Sequence, residues 1–201
     1  MGRSQHSSVR IPWEIMPQLV EKIWVSIGTR KKNYEWKIAD QTTLKALISE
    51  EDFEILMSIQ NSAHKNKKLR HILSRNFMTK NLPLKRETAK WIVASWGGIR
   101  KNAENVSDWA EEVLVFDDNN INKFILEMDT ERISSWSKVF AFYDAANHAI
   151  YDSRVTIAIN IVLEELKIQS LFYIPQAQSS DVNRLAQHLR SMCRVALRTD
   201  P

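Results

Sequence analysis

The sequence predicts an all-α protein, on three observations. Apolar residues recur every three or four positions through most of the chain, which is the period of an amphipathic helix. Only 4 glycines and 5 prolines occur in 201 residues, too few for the turns of an all-β fold. Capping residues and breakers stand where the periodic runs begin and end, and no run shows the alternation of a half-buried strand. A chain of 201 residues buries a substantial core as one domain. The expectation is a single all-α domain over residues 1–201, with 1–83 and 84–201 as possible lobes and no internal repeat.

Met16, Leu19, Val20, Ile23, Trp24 and Ile27 mark the first amphipathic helix, which Gly28 is placed to end. Residues 29–40 are polar and basic with two aromatics, and read as a loop or a short extended piece. Three helices come next, over 43–49, over 50–62 behind a Ser49 cap, and over 66–76. The last is basic, with Lys65, Lys67, Lys68, Arg70, His71 and Arg75 along it. Ala89, Ile92, Val93 and Trp96 form the inward face of 84–96, which Gly97-Gly98 stops. Ser107 caps 108–116, the run Asp117-Asp118-Asn119-Asn120 breaks it, and 121–128 is a further short helix. Thr130 with Ile133 opens the helix that leads to Lys138, and Asp152 opens the next. The last stretch, 180–197, turns Val182, Leu185, Leu189, Met192 and Val195 inward and displays Arg184, Arg190, Arg194 and Arg198.

Lysine and arginine total 28 against 24 aspartates and glutamates, a net charge of +4 that is compatible with a polyanionic partner without requiring one. One cysteine, Cys193, leaves no internal disulfide and no cysteine-ligated iron–sulfur cluster, so no metal or cofactor is expected. The acidic residues Asp108, Glu111, Glu112, Asp117 and Asp118 match no calcium loop. No apolar run has the length to span a bilayer, and residues 1–8 lack the apolar block of a signal peptide. The expectation is a cytoplasmic monomer with no membrane partner.

Residues 134–160 hold the densest set of chemistry-bearing side chains. Lys138 precedes the apolar residues Val139, Phe140, Phe142 and Tyr143, and Asp152 precedes Val155, Ile157, Ile159 and Val162. Such runs sink two successive helices into the core and would leave the lysine and the aspartate at their starts, facing one cleft. Ile150-Tyr151-Asp152-Ser153-Arg154-Val155 resembles the aspartate segment of the helix-hairpin-helix DNA glycosylases, in which a lysine stands after a tight hairpin at a helix start and an aspartate opens the next helix. The counterpart of the hairpin, Arg132-Ile133-Ser134-Ser135-Trp136-Ser137-Lys138, contains no glycine. The spacing of 14 residues (152 − 138) is about one helical turn shorter than the superfamily pattern. Ser137-Lys138, Tyr151-Asp152-Ser153-Arg154-Val155 and Trp96-Gly97-Gly98-Ile99-Arg100 are similar to motifs of a divergent bacterial group of 8-oxoguanine-glycosylase-like proteins.

The resemblance implies a helix-hairpin-helix glycosylase-like fold, two helical lobes around a cleft, that binds DNA, flips a modified base and excises it. Breaking the bond from base to C1′ places positive charge on the sugar, which the Asp152 carboxylate would stabilise. Lys138, with its amine desolvated, would attack C1′ and form a Schiff base that permits strand cleavage. The plainer alternatives are a solvated helix lysine and a helix N-cap, and the second is compatible with chemistry.

A flipped base needs aromatic walls, and Trp91-Ile-Val-Ala-Ser-Trp96-Gly97-Gly98-Ile99-Arg100 offers two tryptophans, glycines that admit close backbone approach, and a cation. The alternative is a helix C-cap with core tryptophans. By the same resemblance Trp136, Ser137, Tyr151, Ser153 and Arg154 join Trp96, Gly97, Gly98 and Arg100 as substrate- or DNA-contacting residues. Arg154 either binds phosphate or pairs with Asp144 or Glu164, and His148 is left out of catalysis as a solvated loop residue. Arg30-Lys31-Lys32 and the 65–75 helix either track phosphates or are solvated charged faces. The implied substrate is oxidised guanine; a hypermodified phage base such as glucosylated hydroxymethylcytosine, removed in defence, is a second expectation. A non-catalytic helical DNA-binding protein with the same fold is the alternative.

Overall fold

The computed structural model describes residues 14, 17–22, 25, 37–99, 121, 124, 132–168, 172, 174–175 and 180–187. All regular structure among them is helical, and no described helix is long and apolar enough to cross a membrane. Two compact units form, one from Asn33–Tyr151 and one from Met1–Lys32 with Asp152–Pro201. The expected helix over 108–116, the basic residues Arg30-Lys31-Lys32 and the C-terminal half of the 180–197 helix lie outside the described residues.

The Asn33–Tyr151 unit contains α1 (Gln41–Leu47), α2 (Glu50–Ser58), α3 (Ser62–Phe77), α4 (Leu82–Trp91) with a π-helical turn (Ile92–Trp96) continuing it, and α5 (Ile133–Tyr143). Local chemistry sets each start. Asp40 caps α1 from the left-handed region (φ 50), which aspartate tolerates better than most residues, and its carboxylate accepts from the Thr43 N–H at 3.2 Å. The Trp91 indole donates to the Asp40 carbonyl at 3.2 Å, pinning that strained residue. Ser49 caps α2 as expected, its Oγ accepting from the Asp52 N–H. The third helix starts four residues earlier than its apolar pattern suggests, because Asn61 accepts from the N–H groups of Ala63 and His64.

The core of this unit is a stripe on α3, Leu69, Ile72, Leu73 and Phe77, packed with Leu44, Leu56, Trp91, Ile92, Trp136 and Phe140. Each such side chain contributes about 1.5–3 kcal/mol on burial. Asn76 closes the polar gap: its Nδ2 donates to the Leu47 carbonyl at 3.0 Å and to Thr88 Oγ1 at 2.9 Å, joining α1, α3 and α4.

The other unit contains α6 (Ser153–Glu165) with helical residues 17–22 and 180–187. Leu19 packs with Val162 and Leu163, and Ile157 with Ile174 and Ala186. Asn160 is fully buried and satisfied, donating to the Phe172 carbonyl at 2.9 Å and accepting from its N–H at 2.8 Å. Lys167 (φ 57) ends α6, with Ile168 N–H donating back to the Leu163 carbonyl at 2.9 Å; a left-handed residue after a helix is usually glycine, and here it is lysine.

Candidate functional site

The π-helical turn builds the first part of the site. The Gly97 N–H reaches back five residues to the Ile92 carbonyl at 2.8 Å, and the Ile99 N–H reaches Val93 at 2.9 Å across Gly98, which is left-handed at φ 70. One extra residue thus enters the helix just before its glycine end, a feature frequent at functional sites. Trp96 is thereby carried to α3 and α5: its indole donates to Asn66 Oδ1 at 3.0 Å, and its ring meets Phe142 edge-on at 4.9 Å.

Gly97 lies against Lys138. A Cβ at Gly97 would stand 2.8 Å from the lysine Cδ and 2.9 Å from the Val93 carbonyl oxygen, so only glycine fits without displacement. Lys138 is 4% exposed, and its Nζ donates to the Ser134 carbonyl at 2.8 Å and to Ser134 Oγ at 3.2 Å. This sets aside the plainer alternative of a solvated helix lysine and corrects one expectation: Lys138 does not stand at a helix start, because α5 begins at Ile133 and Lys138 is more than one turn inside it. The segment matched to the hairpin is helical from Ile133 onward, since Ile133, Trp136, Val139 and Phe140 already keep a helical period.

Ser137 makes the second link. Its Oγ accepts from the Tyr151 N–H at 2.9 Å and donates to the Tyr151 carbonyl at 3.1 Å, so one hydroxyl fixes both backbone groups of the residue preceding Asp152. Trp136 is 1% exposed, stacked on Phe140 and edge-on to Phe124, a place in the core rather than on a contact surface. His148 is half-buried with its ring 5.7 Å from Phe140, so it is not the solvated loop residue expected. Asp144 turns the loop by accepting from Asn147 Nδ2 at 2.6 Å and from the Ala146 N–H at 2.9 Å. These bonds, the Asn147 amide first, hold its carboxyl below the usual carboxylate range.

Asp152 caps α6 as expected. Its Oδ1 accepts from the N–H groups of Arg154 and Val155, both at 3.0 Å, and its carbonyl accepts from the Thr156 N–H at 2.9 Å. The cap locks the carboxylate's direction while Oδ2 takes no part in those two bonds. Ser153, the first residue of α6, is buried, whereas Arg154 is exposed and forms no ion pair with Glu164, one of the two neighbours suggested for it. Arg100 lies outside the described residues.

The structure thus joins Trp96, Gly97, Lys138, Ser137 and Tyr151 within the Asn33–Tyr151 unit. One member of this neighbourhood, Asn66, was not singled out in the sequence, and Arg70 was read only as one of the basic residues of the 65–75 helix. Their signal was there: they stand four apart on α3, beside the stripe of Leu69 and Leu73, where one flank of the helix meets its neighbours. No group of three or more metal-ligating side chains occurs among the described residues. Comparison with family models, curated proteins and solved structures finds no match to the chain.

Proposed function

We propose that the chain is a DNA glycosylase that flips a modified base out of DNA and excises it, leaving an abasic site. The observation that carries this reading is the convergence of separate motifs: the glycine of Trp96-Gly97-Gly98 packs on the Lys138 stem, and Ser137 clamps Tyr151. These are the Ser-Lys, Tyr-Asp and Trp-Gly-Gly strings whose resemblance to the divergent 8-oxoguanine-glycosylase-like group suggested the activity. In this mechanism the Asp152 carboxylate, oriented by its cap, stabilises the positive charge that develops on the sugar as the base departs. Water completes the displacement at C1′. Because the resting Lys138 amine is buried and bonded to Ser134, we assign it an electrostatic role first and a nucleophilic role only after movement of its surroundings. Oxidised guanine and a glucosylated phage cytosine are the two substrate classes proposed.

One observation favours a second reading, a non-catalytic helical DNA-binding protein: residues 133–138 are helix where the superfamily grips DNA with a hairpin. A gel assay for abasic sites on duplexes and phage genomes carrying oxidised or glucosylated bases separates the two. The expected result is product from wild type that Asp152→Asn abolishes. Borohydride trapping that disappears in Lys138→Met would add lyase chemistry. DNA binding without product from any substrate would select the second reading.

A further inference from the structure

Helix α3 carries five lysines and arginines and no acidic residue between Ser62 and Phe77, and its two flanks are compensated differently. On one flank Arg75 donates to Asp52 at 2.6 Å, and Lys68 adds to the field around that carboxylate. The opposite flank, at helical spacing, presents Asn66, Lys67 and Arg70. Neither Lys67 nor Arg70 has a carboxylate partner among the described residues.

Arg70 is the more unusual of the two. Its side chain is half-buried, its Nη2 donates to the Ala141 carbonyl, and its Cζ lies 5.7 Å from the centre of the Phe142 ring. Its Nε is shielded from water and has no acceptor among the described residues. Burial pushes the guanidinium below the ordinary arginine value. A half-buried guanidinium with one nitrogen on a backbone carbonyl and no carboxylate beside it is best completed by an oxyanion at its solvent-facing edge. Lys67, three residues before it and exposed, is its neighbour on the helix surface, with Cβ atoms about 5–6 Å apart at that spacing. Asn66 holds the Trp96 indole, and Trp96 packs on the same Phe142 ring that Arg70 covers. Beyond this flank, His64 and His71 are exposed on the same acid-free helix, a surface suited to a polyanion rather than to a single carboxylate.

We propose that Arg70 and Lys67, beside Trp96 and Phe142, form a phosphate-binding subsite. It rests on the reading of DNA as substrate, since the phosphate it takes there is a backbone phosphodiester; inorganic phosphate presents the same chemistry as a probe.

Two measurements test it. Binding of a short labelled duplex, measured between about 50 and 200 mM salt, should weaken roughly tenfold in Arg70→Met, with the salt slope reduced by about one. Arg70→Lys, which keeps the charge and loses the fork, should fall between wild type and Arg70→Met. In ¹⁵N-labelled wild type, inorganic phosphate should shift the Arg70 Nε–Hε resonance, identified by its absence in Arg70→Lys. An unmoved resonance, together with a wild-type salt slope in Arg70→Met, overturns the subsite and leaves the DNA reading intact. A moved resonance in a protein that binds no duplex sustains the subsite and defeats the DNA reading.

Discussion

Helices α5 and α6 arise from the same kind of sequence, a polar cluster ahead of an apolar run, and use it in opposite ways. The α6 helix opens where its polar residue stands, with Asp152 extended (φ −130, ψ 173) and its carboxylate on two N–H groups. The α5 helix opens at Ile133 behind Arg132, with no side-chain cap, and runs straight through three serines to enclose Lys138. The difference lies upstream. Ile133 and Trp136 extend the apolar period of α5 to the N-terminal side of the lysine, so helix is favourable there. Upstream of Asp152 the chain turns on Asp144 and is tied by Ser137, and no apolar period crosses it. A capping residue marks a boundary only where the apolar period ends with it.

The sharpest way to break this comparison is to separate cap from chemistry at Asp152. Asparagine caps as well as aspartate, so Asp152→Asn should leave urea stability within a few tenths of a kcal/mol while base excision falls about a hundredfold or more. Asp152→Ala should lose the same activity and about 1 kcal/mol of stability as well. Excision that survives in Asp152→Asn would leave the residue a cap and nothing more. Next in size is Gly97→Ala, where the added methyl meets the buried Lys138 stem and the Val93 carbonyl. A loss of about 1–3 kcal/mol in thermal denaturation is expected, and a neutral result would show that the stem yields. At the far end of α6, Lys167→Gly should raise stability by about 1 kcal/mol, because glycine adopts φ 57 without the Cβ penalty.

The smallest effect is one of pH. The Arg75 guanidinium holds the Asp52 carboxyl below its usual range, helped by Ser49 and Lys68 against desolvation. A carboxyl with a depressed folded pKa stabilises above its unfolded value and loses that contribution as pH falls through the folded value. The melting temperature should therefore drop as pH falls below about 4, and Asp52→Asn should flatten part of that drop. With the arginine exposed and the aspartate only half-buried, the difference should stay under about 1 kcal/mol. Asp40, held down chiefly by Thr43, adds to the same slope.

The all-helical character was legible in the sequence because the apolar period runs through nearly every segment. The caps at Ser49 and Asp152 were legible too, since each borders that period. The site was only partly so. Lys138 and Gly97 stand out as residue types, yet their contact joins positions 41 apart (138 − 97) and depends on an inserted π turn that no periodicity announces. The core place of Trp136 was hidden because α5 is apolar around much of its circumference, so facing could not be assigned from spacing. Arg70 was obscured by its basic neighbours, which look alike until the positions of Asp52 and Ala141 distinguish the two flanks of α3.

The π turn also bears on how this region can change. A single residue inserted into an ordinary helix produces such a turn, and removing one restores the simpler register, rotating the downstream residues by about 100°. In this protein those downstream residues include Trp96 and the glycine seated on Lys138. The neighbourhood of the lysine is therefore more sensitive to a one-codon insertion or deletion within residues 92–96 than to most substitutions there. A lineage carrying this chain would tolerate drift in the identities of those residues sooner than any change in their number.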